Sequence, residues 1–456
     1  MKLNLSAITG NLKLKEYFSF GLLSINGYML MVNTYLMIFY TDVVGLDPAA
    51  IATLFLVTRV ADGLNDPIMG YVVDHLPRTK LGRFRGYLLI GTAICTLNYF
   101  LLWFGPAWAS TGKLAIAYAS YILFGITYDM MQIPNASLLP SITADQKDRA
   151  MLSTFKGSVA LINSLIYGMI PPMIIQMMGD AKLSAYYIII FGAMTLAMIC
   201  TTTGVLGIRE RVEPVDDEKY KFREIFSILT QRPVFFTTLL MMMFATSASA
   251  ASASSMYFFT YMLDGRFDVI SISSIFSTIS VVPTVLLAGW LVQKFGKKRL
   301  MLALLVVYAL GFAIRLINVT SIPLFYASVL INGFPLGIFN VVSPTIQADN
   351  IDYVEYKLNR RAEAGISSLD SFVIKSSHGI GGAIGGYVLS STGYVANQPQ
   401  TDLAKFGIVF NTIWMPIITY IIGLFVFGFG YNLNSKKVAE VNETLLQRRE
   451  AKNSDS

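Results

Sequence analysis

Apolar segments recur along the whole chain, each close to the roughly 20 residues that carry a helix across a bilayer's hydrocarbon core. That recurrence constrains the fold more tightly than any motif. In lipid every backbone polar group must be satisfied within the protein, so segments of this length and spacing are helices. Twelve fit, at 16–41, 49–74, 86–106, 113–143, 150–178, 184–208, 233–263, 268–293, 300–318, 322–348, 365–391 and 403–430. With 54% of the 456 residues hydrophobic and 14% charged, no soluble domain of useful size remains once they are removed. The sequence predicts an all-α, multi-pass membrane protein.

The net charge of +7 follows topology and does not point to nucleic acid. If alternate loops are assigned to one side, the basic clusters Arg78–Arg85, Arg209–Arg232, Lys294–Arg299, Lys357–Arg361 and the segment after Lys436 all fall with the N-terminus. That side is expected to be the cytoplasm, with both termini there and the chain in the cell membrane. Met1 to Lys15 is a polar lead-in without the order of a cleavable signal peptide. Cys95 and Cys200 both lie in apolar segments, which suggests small hydrophobes and neither a disulfide framework nor a metal cluster. The expected partners are the lipid bilayer and a small-molecule substrate, with no obligate protein partner, nucleic acid or cofactor.

The longest internal hydrophilic break, Arg209–Arg232, divides the spans into two sets of six. The expected organisation is one half over 1–208, a linker over 209–232, a second half over 233–433 and a tail over 434–456 that is mobile and mainly solvated. Within the linker, Phe222, Ile225, Phe226 and Leu229 recur at helical spacing among basic residues, as in a helix lying on an anionic leaflet. A weak internal repeat links the halves. Gly70-Tyr-Val-Val-Asp74 followed by Gly82-Arg83-Phe-Arg85 has a counterpart in Gly289-Trp-Leu-Val-Gln293 followed by Gly296-Lys297-Lys298. This resembles the signature loop of the major facilitator superfamily, which implies twelve transmembrane helices in two pseudo-symmetric six-helix halves that rock about a central site. The second copy has Gln293 where the acid is expected.

Within the second span, Arg59, Asp62 and Asp66 stack on one helix face with Asn65 adjacent. A charge at the bilayer centre costs roughly 2.5 kcal/mol or more, so such groups face a protein interior or a wet cavity. One arginine offsets one carboxylate and leaves a net negative charge that a monovalent cation or a proton would neutralise. Asp62, Asn65 and Asp66 are therefore candidate cation ligands, with Arg59 coupled to them. Pro67 frees a backbone carbonyl one turn earlier. A static ion-pair network is the structural alternative, and the excess of acid argues against it.

Phe39-Tyr-Thr-Asp42-Val-Val-Gly-Leu46, the Asp62–Gly70 stretch, Gly82-Arg-Phe-Arg85, Ile133-Pro134 with Ser137-Leu-Leu-Pro140, and Asp349-Asn-Ile-Asp352-Tyr-Val-Glu355-Tyr-Lys357 resemble the glycoside–pentoside–hexuronide:cation symporter family. The resemblance covers all twelve spans. It implies sugar uptake driven by sodium, lithium or protons, with Asp62 and Asp66 matching the two cation-binding carboxylates and Asn65 a determinant of ion choice. Asp129 occupies the place of a cation-site threonine, so a third acid enters the site and leaves sodium and proton coupling both open. Two sugar-site aspartates of the family are matched by Asn26 and Gln132, two bordering tryptophans by Ala136 and Asn340, and an arginine by Lys156. The implied substrate is a glycoside, pentoside or hexuronide other than the family's melibiose, with Ser371 also counted in its site. Lys375, three residues before His378, matches a family position that joins ion and sugar sites.

Asp74, Arg83 and Arg85, with Asp352, Glu355, Arg360 and Arg361, are candidates for an inner gate whose ion pairs form and break with alternating access; a solvated loop helix is the alternative. The glycines from Gly379 to Gly386 and the Ala/Ser tract 245–255 read as surfaces of close helix approach. No nucleophile–base pair, metal-ligand spacing or phosphate-binding loop suggests an enzyme. A porter for a lipid-like or other non-sugar solute, or a channel, would use the same spans.

Overall fold

The computed structural model describes residues 12–75, 77, 79–143, 145–179, 182–211, 228–358 and 363–454. Its helices are α1 (Leu14–Leu22), α2 (Tyr28–Met31), α3 (Pro48–His75), α4 (Phe84–Trp108), α5 (Lys113–Ile142), α6 (Gln146–Met178), α7 (Lys182–Gly207), α8 (Arg232–Tyr261), α9 (Asp268–Phe295), α10 (Lys297–Ala313), α11 (Ile322–Leu358), α12 (Glu363–Ser391), α13 (Asp402–Val409), α14 (Met415–Gly430) and α15 (Ser435–Ser454). Nine of the described helical stretches are long and apolar enough to cross a membrane. The first expected span fails that test because it is broken: α1 ends at Leu22, α2 restarts at Tyr28, and π-helical turns continue it over Val32–Leu36 and Phe39–Val43. Large apolar side chains such as Met177 and Leu286 are more than 75% exposed, an arrangement suited to a lipid solvent.

Two compact units divide the chain. The first comprises Met1–Asp217 together with Asp264–Ser274 and Tyr394–Pro399. Those two later segments are bonded into it: Ser271 Oγ donates to the Met169 carbonyl at 2.8 Å, Tyr394 Oη donates to Asp42 Oδ1, and Asn397 Nδ2 donates to the Asp42 carbonyl at 2.8 Å. Most of the amphipathic linker pattern, including Phe222, Ile225 and Phe226, lies outside the described residues.

At one end of the first unit, Glu210 caps a helix that is remote in sequence. Its carboxylate accepts the backbone N–H groups of Arg83, Phe84 and Arg85 at 2.8, 2.9 and 2.8 Å. These are amides of the first turn of α4, which have no partner within their own helix. Gly82, at φ +128°, lets the carboxylate in, since a Cβ there would lie 2.7 Å from Glu210 Oε1. Arg211 continues the clasp through a 2.6 Å ion pair with Glu16 and a backbone bond to the Ser141 carbonyl. The polar break therefore opens with residues fixed to the first unit.

The second unit comprises Glu218–Leu263, Ile275–Gly393 and Gln400–Ser456. Within it α8 packs along α12, and the two small-residue tracts meet there. A Cβ on Gly381 would lie 2.3 Å from the Thr246 carbonyl, and Ser249 Oγ donates to the His378 carbonyl at 2.9 Å. The expectation of a mobile, solvated tail is corrected. α15 is a helix whose Val441 and Leu445 are buried in a cluster with Leu300, Tyr353, Phe427, Tyr431 and Leu433. The sequence of α15 is polar enough to read as solvated, but its few apolar side chains share one face.

Candidate functional site

The site begins with four positions on two helices of the first unit. Asp62 and Asn65 lie one turn apart on α3, and Gly125 and Asp129 lie one turn apart on α5. The Asp62 carboxylate lies directly against Gly125, where an added Cβ would fall 1.9 Å from Oδ1. Asn65 Nδ2 donates to Asp129 Oδ2 at 3.0 Å. Asp62 is 7% exposed and Asp129 is 3% exposed. Two carboxylates and an amide thus converge from facing helices inside an apolar unit, a cluster of hard oxygen donors with excess negative charge. Of the four candidate cation residues, Asn65 is bonded to Asp129, and Asp62 packs against Gly125 one turn away on the same helix as Asp129.

One further glycine fixes this meeting. A Cβ on Gly91 of α4 would lie 2.4 Å from the Met130 carbonyl, so α4 presses on the α5 backbone next to Asp129. At Gly125 it is the Asp62 side chain of α3 that takes the space on α5. The side chains of Arg59, Asp66, Asp74 and Ser371, and all of Arg360 and Arg361, lie outside the described residues.

A second polar group surrounds the break in the first span. Asn26 sits in it, its Oδ1 accepting from the Tyr28 backbone N–H at 3.3 Å and its Nδ2 directed at Met131 Sδ, 3.5 Å away on α5. The Gly27 backbone is covered by the Tyr167 ring, which approaches within 2.3 Å of where a Cβ would stand. Asn135 Nδ2 reaches the Leu23 carbonyl at 3.4 Å, and Ser24 Oγ bonds the Lys156 carbonyl at 3.0 Å. The Lys156 ammonium lies 5.0 Å from the Phe20 ring centroid. Gln132 donates from Nε2 to Tyr128 Oη at 2.6 Å. A broken span exposes backbone groups at membrane depth, which is tolerated where they line a cavity or are satisfied by neighbouring side chains. Asn135, Tyr128 and Tyr167 were not singled out from the sequence, because only the break gives them a role.

In the second unit Asn340 of α11 is exposed, while Lys375 and His378 of α12 and Asp352 and Glu355 of α11 are half-buried. Near them Asp349 accepts the Lys297 ammonium at 2.7 and 2.8 Å. In the first unit Arg85 is engaged with backbone carbonyls, from Nε to Val205 and from Nη1 to Leu81, both at 2.9 Å. The Arg83 guanidinium lies 5.5 Å from the Phe84 ring centroid.

Residues 17–435 match the family described as MFS/sugar transport protein. The chain is 30% identical to the isoprimeverose transporter of Lactiplantibacillus pentosus, over 89% of this chain and 86% of that one. It is 27% identical to the glycoside/cation symporter candidate YagG of Escherichia coli K12, over 91% and 90%. In three dimensions it is similar to the crystal structure of the nucleoside transporter NupG, with a TM-score of 0.60 at 15% identity, over 92% of this chain and 99% of that one.

Proposed function

The chain belongs to the MFS/sugar transport protein family, and from that premise we propose that it moves a sugar or glycoside across a membrane together with a monovalent cation by alternating access. It is a multi-pass membrane transporter and not an enzyme. The observation that carries the coupling is the convergence of Asp62, Asn65 and Asp129. With both carboxylates ionised the cluster is unstable when empty, and a bound sodium ion or proton removes the excess charge. Asp66 is assigned to the same site and Arg59 to its coupling, on their helical spacing from Asp62.

Substrate is assigned to the break in the first span and the helices beside it. Asn26, Gln132 and Lys156 supply hydrogen bonds to hydroxyls; Asn340 and Ser371 are counted as substrate candidates, and Lys375 as a coupling residue, on their family match alone. Amides give neutral hydrogen bonds weaker than those of the carboxylates they replace, and the Lys156 ammonium suits an oxygen-rich or acidic sugar. A glycoside, pentoside or hexuronide fits these groups. Asp74, Arg83, Arg85, Asp352, Glu355, Arg360 and Arg361 are assigned to an inner gate that pairs in one state of the cycle. The basic loops put both termini in the cytoplasm and the protein in the cell membrane, with uptake the working direction.

Purified protein in liposomes tests the reading. Imposed sodium and proton gradients are applied in turn while glycosides, pentosides and hexuronides are screened. One gradient is expected to drive accumulation of at least one sugar, and Asp62→Asn to abolish accumulation while leaving exchange partly intact. Accumulation of none under either gradient refutes the assignment. Asp129→Asn separates the ions: loss of drive by the proton gradient alone identifies Asp129 as the proton carrier.

A further inference from the structure

Arg315 lies in the 3-10 turn Ile314–Leu316 that closes α10, and it is only 6% exposed. Its guanidinium has no carboxylate and no hydrogen-bond acceptor among the described residues. Its contacts are the faces of two aromatic rings, Phe258 with a centroid 4.6 Å from Cζ and Phe325 at 4.9 Å. Nε is fully buried and unpaired. The two terminal nitrogens, by contrast, are absent from the fully buried unpaired atoms, so the outer fork keeps some exposure.

This arrangement is electrostatically incomplete. Ring faces attract a cation, and the C-terminal end of α10 favours positive charge, but neither supplies the oxygen atoms that five N–H donors need. A buried guanidinium left in that state is strongly unfavourable. A neutral side chain of similar shape would pack between the two phenylalanines without that cost. We propose that Arg315 and the Phe258–Phe325 cleft form a phosphate-oxyanion site in the second unit, separate from the substrate and cation groups. The rings hold the guanidinium plane, and the outer fork presents two parallel N–H groups, the geometry that pairs with two phosphate oxygens. The site closes a membrane-crossing helix, where headgroup phosphates lie, and neighbouring Ile317 is 77% exposed, a surface for an acyl chain. A lipid phosphodiester and free inorganic phosphate offer the same oxygens.

Thermal unfolding of the purified full chain distinguishes them. In detergent, dioleoylphosphatidylglycerol is expected to raise Tm by about 3 °C, a size that saturating binding of the folded state gives, while dioleoylphosphatidylcholine raises it less. Arg315→Gln is expected to remove the difference, and Arg315→Lys to keep part of it. A rise with inorganic phosphate alone assigns the site to the free anion; a rise only with the anionic lipid assigns it to the headgroup. Equal responses in wild type and Arg315→Gln, or no response of wild type to either ligand, overturn the proposal. Should both variants fail to fold, hydrogen exchange of the wild type over 256–262 and 314–326 decides: protection by the anionic lipid or by phosphate supports the site, and its absence overturns it.

Discussion

The absence of a side chain at Gly125 shapes the Asp62–Asn65–Asp129 cluster, the proposed cation site, as much as the acids do. Placing a methyl group there would bring it within 1.9 Å of Asp62 Oδ1, so Gly125→Ala must push the carboxylate or separate α3 from α5. At least a tenfold loss of cation affinity is expected, about 1.4 kcal/mol, read from the cation dependence of sugar uptake. An unchanged dependence would show that Asp62 is not a ligand. Asp62 and Asn65 stood out in the sequence because polar groups in apolar segments are conspicuous, whereas Asp129 was singled out only through the family resemblance. Gly125 and Gly91 were not, because a glycine acquires meaning only from the atom opposite it, which local sequence does not specify.

Among the elements, α4 depends on a cap supplied from more than a hundred residues away. Glu210→Ala leaves three first-turn amides without their acceptor, and a loss of roughly 1–3 kcal/mol is expected. The measurement is a denaturation midpoint in detergent, and Glu210→Gln should fall between the two because its amide oxygen still accepts. A wild-type midpoint for Glu210→Ala would mean that solvent replaces the carboxylate without cost. Helix positions were legible from apolar run length, and the pairing of the Ala/Ser tract with the glycines of α12 was half legible, since each announced a close contact without naming the other. The break at Leu23–Gly27 was hidden, because 16–41 carries no proline and Ser24, Asn26 and Gly27 can each sit inside an unbroken membrane helix. What interrupts the helix is the tertiary environment: Tyr167 against Gly27, Asn135 at the Leu23 carbonyl and Ser24 on α6.

For the molecule as a whole, the central polar break and the repeated loop suggested a division of the chain, but not that Asp264–Ser274 and Tyr394–Pro399 would belong to the first unit. The place of α15 was not readable, since twenty mostly polar residues look soluble until their few apolar positions find Tyr353, Tyr431 and Leu433. Leu445→Glu puts a charge into that cluster. A loss of about 2–4 kcal/mol is expected, the range of large core disruptions, with faster hydrogen exchange over 339–358 and an unaltered cation dependence in the surviving protein. An altered cation dependence with normal stability would instead make α15 part of the transport cycle. The docking also bears on biosynthesis. Ribosomes deliver α15 after every membrane segment, so the second unit's core is left open until synthesis has passed residue 445. A chain interrupted after Gly430 would carry all its spans into the bilayer and still display an unfinished aromatic face, giving quality-control proteases a mark that distinguishes it from the finished transporter.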